Sequence, residues 1–483
     1  MSRRPNIIFI LCDQMRGDCL GSDGNPVIQT PNLDRLAGQG TRFLHAYSAV
    51  PSCIPSRAIL WSGQSQWHTG VLGMNRDDVI PCDFPHTLAG ELTAAGYQTQ
   101  LVGKGHFEPQ RASMGFEQTV LDESGRMPDS DFRQWFSLHA PAGVTPDDHG
   151  VGWNSWHACA WHTDEALHPT SWTVSRSIEF LKEHDRGRPF FLNISFARPH
   201  SPYDPPARWF SCYERQELPD AFVGDWAQMH DDPETAKKED AWRGTMSPEQ
   251  VHRARSGYYG SISFMDEQIG RLLEWMEREI PDELENTWFL FLSDHGDMLG
   301  DHNLWRKTYA YEGSARVPFL IAPPKKMQGD VRLVADEVVE LRDVMPTVLG
   351  MAGVPVPSAV DGRSLIPLLN APAEDWRTYI HGEHRACYSP EQEMHYVTDG
   401  RRKFIWLPRI QREQFFDLEA DPGEYEDLIE GANRQGEIQR WRGYLIRELE
   451  SRRCGWVKNG KLVAPDSEPL VSPFEKHRWT GSD

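Results

Sequence analysis

Four short apolar runs, each ending in polar residues, constrain this chain more than anything else in it. Asn6–Cys12 ends at Asp13-Gln14, and Tyr97–Val102 ends at Gly103-Lys104-Gly105-His106. Phe190–Phe196 ends at Arg198-Pro199-His200, and Trp288–Leu292 ends at Ser293-Asp294-His295-Gly296. Short runs without polar alternation read as strands buried on both faces, as in parallel sheets. Helical patterns lie between them: Asn32–Gln39, His86–Ala95, Ser171–His184 and Gly260–Arg278. This order predicts an α/β fold, a large mixed, mostly parallel β-sheet flanked by helices. In such sheets ligands gather beyond the carboxyl ends of the strands. All four polar clusters fall there.

The texture changes after about residue 370. Met394–Thr398, Lys403–Leu407 and Gln414–Leu418 read as short strands around turns such as Asp399-Gly400. Asn433–Glu450 reads as a helix with Asn433 as its cap. The expected organisation is a catalytic unit, 1–372, and a C-terminal α+β unit with a short antiparallel sheet, 373–483. Its end, with Pro465, Pro469 and Pro473, reads as an extended tail that could reach a neighbouring subunit in a homo-oligomer. The polar stretches 125–170 and 201–255 read as irregular loops. Trp153, Trp156, Trp161, His157 and His162 in the first, with Glu108, could line a site, although packing is the simpler use of a tryptophan.

At 483 residues, 39% hydrophobic and 25% charged, the chain has the composition of a globular protein with a large core. A net charge of −21 argues against nucleic acid and anionic membranes as partners. No apolar run is long enough to span a membrane. The first run is too short for a secretory leader, lacks a small-residue cleavage site and ends in Asp13, so a cytoplasmic location is expected. Eight cysteines without Cys-x-x-Cys spacing form neither a disulfide framework nor a zinc site. If so acidic a chain binds an anion, it must gather its cations locally.

Two carboxylates at strand ends, Asp13 and Asp294, lie beside Gln14 and His295. Together they would make an oxygen-rich shell for a divalent ion. Each Asp could instead simply cap the loop or helix after its strand. Arg57, Lys104, His106, His200 and Lys307 are the candidates for gripping an oxyanion, with Arg306 a rival to Lys307 on spacing. Cys53 precedes a helical run in which Pro55 suits the first position and Ser52 suits the cap. There it is either a nucleophile at the positive end of a helix or a buried structural cysteine.

Cys53-Ile54-Pro55-Ser56-Arg57 resembles the Cys-x-Pro-x-Arg signature of the type I sulfatases, of the alkaline phosphatase-like superfamily. The run from Asp294 to Pro318, with Tyr311-Glu312 and Arg316-Val317-Pro318, resembles their second signature. Gly103-Lys104-Gly105-His106 and Pro199-His200-Ser201-Pro202-Tyr203 resemble the family's Gly-Lys-x-His and Pro-His-x-Pro-Tyr. Asp361-Gly362-Arg363-Ser364-Leu365, Phe416-Asp417-Leu418 and Asp421-Pro422 resemble its C-terminal landmarks.

The resemblance implies hydrolysis of a sulfate monoester. It makes Cys53 a formylglycine whose hydrate is the nucleophile and a metal ligand, installed by a formylglycine-generating enzyme. Asp13, Gln14, Asp294 and His295 become metal ligands, and Arg57 steadies residue 53. Lys104, Lys307 and His200 hold the sulfate and the leaving oxygen, His200 as the acid, while His106 moves a proton on residue 53. Asn75 would also face the site. Calcium is the first choice of metal, with manganese or magnesium as alternatives. Many members of the family have Asp where this chain has Gln14 and Asn where it has His295, which brings manganese forward. The same variants recur in relatives acting on choline sulfate or phosphonate monoesters, but the Lys104–His106 pair favours sulfate. A phosphonate monoester or phosphodiester hydrolase of this superfamily, and a non-catalytic binding protein on this fold, are the other readings. Aryl, alkyl, choline and sugar sulfates all stay open as small substrates.

Overall fold

A computed structural model describes residues 4–74, 80–464 and 471–475. The first apolar run becomes β1 (Asn6–Asp13), buried along its whole length. The large sheet adds β2 (Thr41–Phe43), β3 (Gln98–Gly103), β4 (Gln118–Leu121), β5 (Phe190–Pro199), β6 (Thr287–Ser293), β7 (Phe319–Ala322) and β8 (Val334–Ala335). Their spatial order is β4-β3-β5-β1-β6-β7-β2-β8, and β7 alone runs against the others. Ile10 pairs with Ile194 on one side and Phe291 on the other. The four runs legible in the sequence are thus four adjacent central strands, β3-β5-β1-β6, and their carboxyl ends lie side by side.

Seven helices matter to the site: α1 (Pro31–Gly38), α2 (Cys53–Ser62), α3 (Leu88–Ala94), α4 (Pro169–Glu183), α5 (Pro248–Glu279), α6 (Val344–Ala352) and α7 (Gln435–Ser451). Alternation along β1 divides the core between two faces. Ile7, Phe9 and Leu11 pack with Leu60, Leu88 and Val348 of α2, α3 and α6. Ile8, Ile10 and Cys12 pack with Leu33, Val174 and Ile262 of α1, α4 and α5. The sheet is a layer between helices, as expected.

The stretches expected to be irregular hold more helix than their composition suggested. Asp131–His139 is helical, capped by the Ser130 hydroxyl, and so is Ala207–Glu214. Helix α5 starts at Pro248, well before the expected Gly260, because Ser247 and Gln250 form a reciprocal capping box around a proline at the first position.

The second sheet is antiparallel: β9 (Ile380–His384), β10 (Met394–Thr398), β11 (Arg402–Leu407) and β12 (Arg412–Asp417), in that order. The expected turn joins β10 to β11, where Gly400 has φ +87 and the Asp399 carboxylate accepts from the amides of Arg401 and Arg402. Val397, Phe404 and Phe415 face Ile438, Trp441 and Leu445 of α7. Tyr396, Ile405 and Phe416 face the large unit at Tyr47, Met298 and Tyr311. The described part of the tail lies on its own chain: the Ser472 hydroxyl donates to the Trp67 carbonyl at 2.6 Å, and Phe474 meets His68 edge-on. Asn75, Pro465 and Pro469 lie outside the described residues. Among the described residues, no helix is long and apolar enough to cross a membrane.

Candidate active site

The carboxyl ends of β1, β3, β5 and β6 deliver Asp13, Lys104, His200 and Asp294 to one place. The His200 amide donates to the Asp13 carbonyl at 3.0 Å, and the Asp294 amide to the Cys12 carbonyl at 3.2 Å, so the backbone itself sets the spacing. Gly103 lets β3 turn out towards them. Its φ is +106, and a Cβ there would lie 1.9 Å from the Ser195 carbonyl oxygen. No other residue fits that approach. Lys104, the next residue, donates through Nζ to Asp13 Oδ2.

Asp13, Asp294 and His295 present ligand atoms within 4.8 Å of one another. His295 Nε2 lies 3.2 Å from Asp13 Oδ1 and 3.5 Å from Asp294 Oδ1. Both Asp13 Oδ1 and His295 Nε2 are buried without a hydrogen-bond partner among the described residues. Burial alone would push the His295 imidazole down, yet Asp294 and Asp13 bring it up to about 9. The pocket therefore attracts positive charge at the point where the two orphaned atoms meet. Buried carboxylates, an imidazole and the neighbouring Gln14 amide fit a divalent cation.

Three other ligand atoms cluster on the second sheet, from His381, Glu383 and His395. Arg452 closes that group. It donates to both Glu383 oxygens at 2.7 Å and approaches His381 Nδ1 at 3.3 Å, while His381 Nε2 meets His395 Nδ1 at 3.3 Å. These bonds link the group to Arg452, and His395 Nε2 is left without a partner among the described residues.

Cys53 opens α2, buried, with Lys104 and Lys307 in its surroundings. Burial raises its thiol, but the two lysines outweigh it and bring the pKa down to about 7. The helix begins at Cys53, not at Pro55 as the sequence suggested, so Pro55 is its third residue. A proline costs nothing there, since the first-turn amides have no partners within the helix. Ser52 takes the N-cap position as expected, and its carbonyl accepts from the Ser56 amide at 3.1 Å, but its hydroxyl makes no cap bond and meets His384 Nε2 of β9 at 2.8 Å. Arg57 is wholly buried and crosses to the strand ends. It donates to Asp294 Oδ2 at 2.8 Å, to the Lys104 carbonyl at 2.7 Å and to Ser195 Oγ at 3.1 Å.

The remaining expected residues also converge. Lys307 Nζ donates to Gln14 Oε1 at 2.8 Å, which decides between it and Arg306. His200 Nδ1 bonds the Ser201 carbonyl at 2.8 Å. Burial and Lys307 push His200 well below the usual imidazole range, and burial with Arg126 and Lys104 does the same to His106. His106 Nδ1 is buried and has no partner among the described residues.

The Sulfatase family model matches residues 5–354, and that of the N-sulphoglucosamine sulphohydrolase C-terminal region matches residues 300–451. An arylsulfatase of Clostridium perfringens is 43% identical over 95% of this chain and 97% of its own length. The chain belongs to the sulfatase family. It is a sulfuric ester hydrolase of the alkaline phosphatase-like superfamily. A choline-sulfatase of Rhizobium meliloti is 30% identical over 98% of this chain and 95% of its own. The solved phosphonate monoester hydrolase of Agrobacterium radiobacter has the same fold, with a TM-score of 0.76 over 97% of this chain and 99% of its own at 23% identity.

Around this sulfatase site stand residues that sequence reasoning missed. Asp297 accepts from Gln14 Nε2 and from the Tyr203 hydroxyl, both at 2.5 Å, and so orients the Gln14 amide. It lies three residues after Asp294 inside the second signature, and its spacing was the available signal. His384 had none, since it arrives from a distant strand. The tryptophans mostly serve packing. Trp156 lies against Trp305 and donates to the Lys238 carbonyl, and Trp161 packs on Phe136 and donates to the Asp164 carbonyl. Trp153 takes the Arg198 guanidinium over its ring at 5.4 Å. Glu108 and His157 are exposed.

Proposed function

We propose that this sulfatase hydrolyses a small sulfate monoester to an alcohol and inorganic sulfate, using residue 53 as a formylglycine hydrate and one divalent metal ion. What carries the reading is a single arrangement: the Cys53 side chain at the head of α2, among Lys104, Lys307 and the orphaned Asp13–His295 pair. Asp13, Gln14, Asp294 and His295 would hold the metal, with calcium the first choice and manganese or magnesium the alternatives. When bound, the metal would neutralise charge on the sulfate oxygens and on the nucleophile.

Lys104 and Lys307 hold the sulfate, and Arg57 fixes Asp294 and steadies residue 53. One hydroxyl of the hydrate, its proton released to water, attacks sulfur in line as its oxygen bonds to sulfur and the S–O bond to the alcohol breaks. His200 gives a proton to the leaving oxygen. Sulfate arriving between the lysines offsets the positive charge that, together with burial, keeps His200 neutral. His106 then takes the proton of the second hydroxyl, the bond from carbon to the sulfate oxygen breaks, and the aldehyde reforms as sulfate leaves. Water adds to the aldehyde and restores the hydrate. A serine, lacking that second hydroxyl, would stop at a stable sulfate ester.

Cys53 and Arg57 are buried, so a formylglycine-generating enzyme must read this segment before the chain has folded around it. The division into a catalytic unit, 1–372, and a C-terminal unit, 373–483, fits this scheme. The described residues of the second sheet begin at Ile380, past the last of the proposed catalytic residues.

Mass spectrometry of the peptide containing residue 53 tests the modification, since formylglycine is lighter than cysteine by about 18 Da. We expect that loss in active protein, and Cys53→Ser should bind substrate and accumulate one sulfate per chain without turning over. Full multiple-turnover activity in that variant rules the mechanism out. Rates on paired phenyl sulfate and phenyl phosphate separate sulfate from phosphate chemistry.

A further inference from the structure

One cation beside the site has no part in this chemistry. Arg306 directly precedes Lys307, but the two side chains end in different places. Arg306 has a left-handed backbone (φ +66), and while Lys307 reaches Gln14, the Arg306 guanidinium lies 4.4 Å over the ring of Tyr388. Arg306 is only 9% exposed, and it forms no ion pair among the described residues. The one hydrogen bond its side chain makes there is to the Asp240 carbonyl oxygen at 3.2 Å. A guanidinium carries five donors, and a nearly buried one with a single neutral acceptor is underfilled. The carboxylate of Asp297 does not serve it, being committed to Gln14, Tyr203 and the Leu299 amide.

Tyr388 belongs to the wall above residue 53. Its neighbour Cys387 reaches the Met74 carbonyl at 3.6 Å, and Met74 Sδ lies 3.7 Å from Cys53 Sγ. The Tyr388 hydroxyl is buried and has no partner among the described residues. Its ring also stacks on Trp242, with centroids 5.8 Å apart and planes 26° from parallel. The guanidinium and the indole both lie against this ring. Tyr388 therefore offers an approaching substrate its unpartnered hydroxyl and little stacking surface. Trp242 is engaged in the same way, with the Arg243 guanidinium 4.5 Å over its ring and Glu391 3.7 Å from Arg243.

Resting on the sulfatase reading, we propose that Arg306 and the Tyr388 hydroxyl form the subsite for the alcohol part of the substrate. This subsite takes an oxyanionic substituent there, a carboxylate or a second sulfate. A guanidinium pairs with such a group through two parallel hydrogen bonds, and the phenol adds a third. A quaternary ammonium group needs free aromatic faces or a carboxylate. It would meet covered rings and a positive charge, so the subsite selects against choline sulfate.

The test is a panel of kcat/KM values on phenyl sulfate, meta- and para-carboxyphenyl sulfate and choline sulfate, for the wild-type protein, Arg306→Gln and Tyr388→Phe. The wild type should favour a carboxyphenyl ester over choline sulfate. In Arg306→Gln the ratio of carboxyphenyl to phenyl sulfate should fall about ten- to a hundredfold, mainly through KM. Tyr388→Phe should shift it the same way by less. Equal loss on all esters in both variants overturns the subsite, as does a wild type that prefers choline sulfate. Phenyl sulfate is the control for the parent reading: if the wild type turns over no ester at all, hydrolysis itself is refuted and the subsite falls with it.

Discussion

Asp297 illustrates what one buried carboxylate can do without touching substrate. It accepts from Gln14 Nε2 and the Tyr203 hydroxyl, and so turns Gln14 Oε1 towards Lys307 Nζ. Burial and Asp297 together hold the Tyr203 phenol well above its usual range, so it stays a donor. Asp297→Asn would set an amide N–H against one of these donors and let Gln14 rotate. Partners of ligands typically matter about 10–100-fold. We expect kcat/KM on phenyl sulfate to fall by that order, and more divalent metal to be needed to restore activity after chelation. A variant with wild-type kcat/KM and unchanged metal demand would show that Gln14 needs no such support. Cys53, Lys104 and Asp294 were legible at this scale because their motifs are local. Asp297 was hidden because its partners are far away in the chain.

At the scale of elements, β9 and the end of α7 are held together by a buried ionic group. Burial raises Glu383, but Arg452 outweighs it and brings the carboxyl down to about 2. A carboxyl depressed in the fold stabilises above its unfolded pKa, near 4.5, and that contribution is lost as pH falls towards 2. Arg452→Ala leaves the carboxylate buried and unpaired, which should cost about 3–5 kcal/mol. Urea unfolding at neutral pH measures this, and adding Glu383→Gln should recover part of the loss. If the double variant is no more stable than Arg452→Ala, the charge is not the cause. The same residues explain why β9 was not foreseen: Ile380-His381-Gly382-Glu383-His384 has no apolar alternation. A strand whose polar side chains are satisfied by a helix end gives no periodic signal. The apolar β10 and β11 gave one, and their expected and observed bounds nearly coincide.

For the whole molecule, the second sheet completes the first unit. The Glu383 amide donates to the Ala49 carbonyl, the Tyr396 hydroxyl to the Ser48 carbonyl, Lys403 Nζ to the half-buried Glu312, and His384 meets Ser52 next to Cys53. Residues 1–372 expressed alone should therefore fail to give an active monomer with a single cooperative unfolding transition. Size-exclusion chromatography, thermal unfolding and turnover of phenyl sulfate check this, and an active, cooperative fragment would show that the second unit is dispensable. The amino-acid sequence by itself determined the central strands, the helices between them and the residues at the strand ends, because hydrophobic periodicity and short motifs are local properties of a chain. Only the tertiary structure decided that Lys307 and not Arg306 faces Gln14, that Ser52 serves His384, and that Arg306 is left with Tyr388 and no counter-ion among the described residues. Those outcomes depend on which distant groups share a buried space, where each donor must find an acceptor.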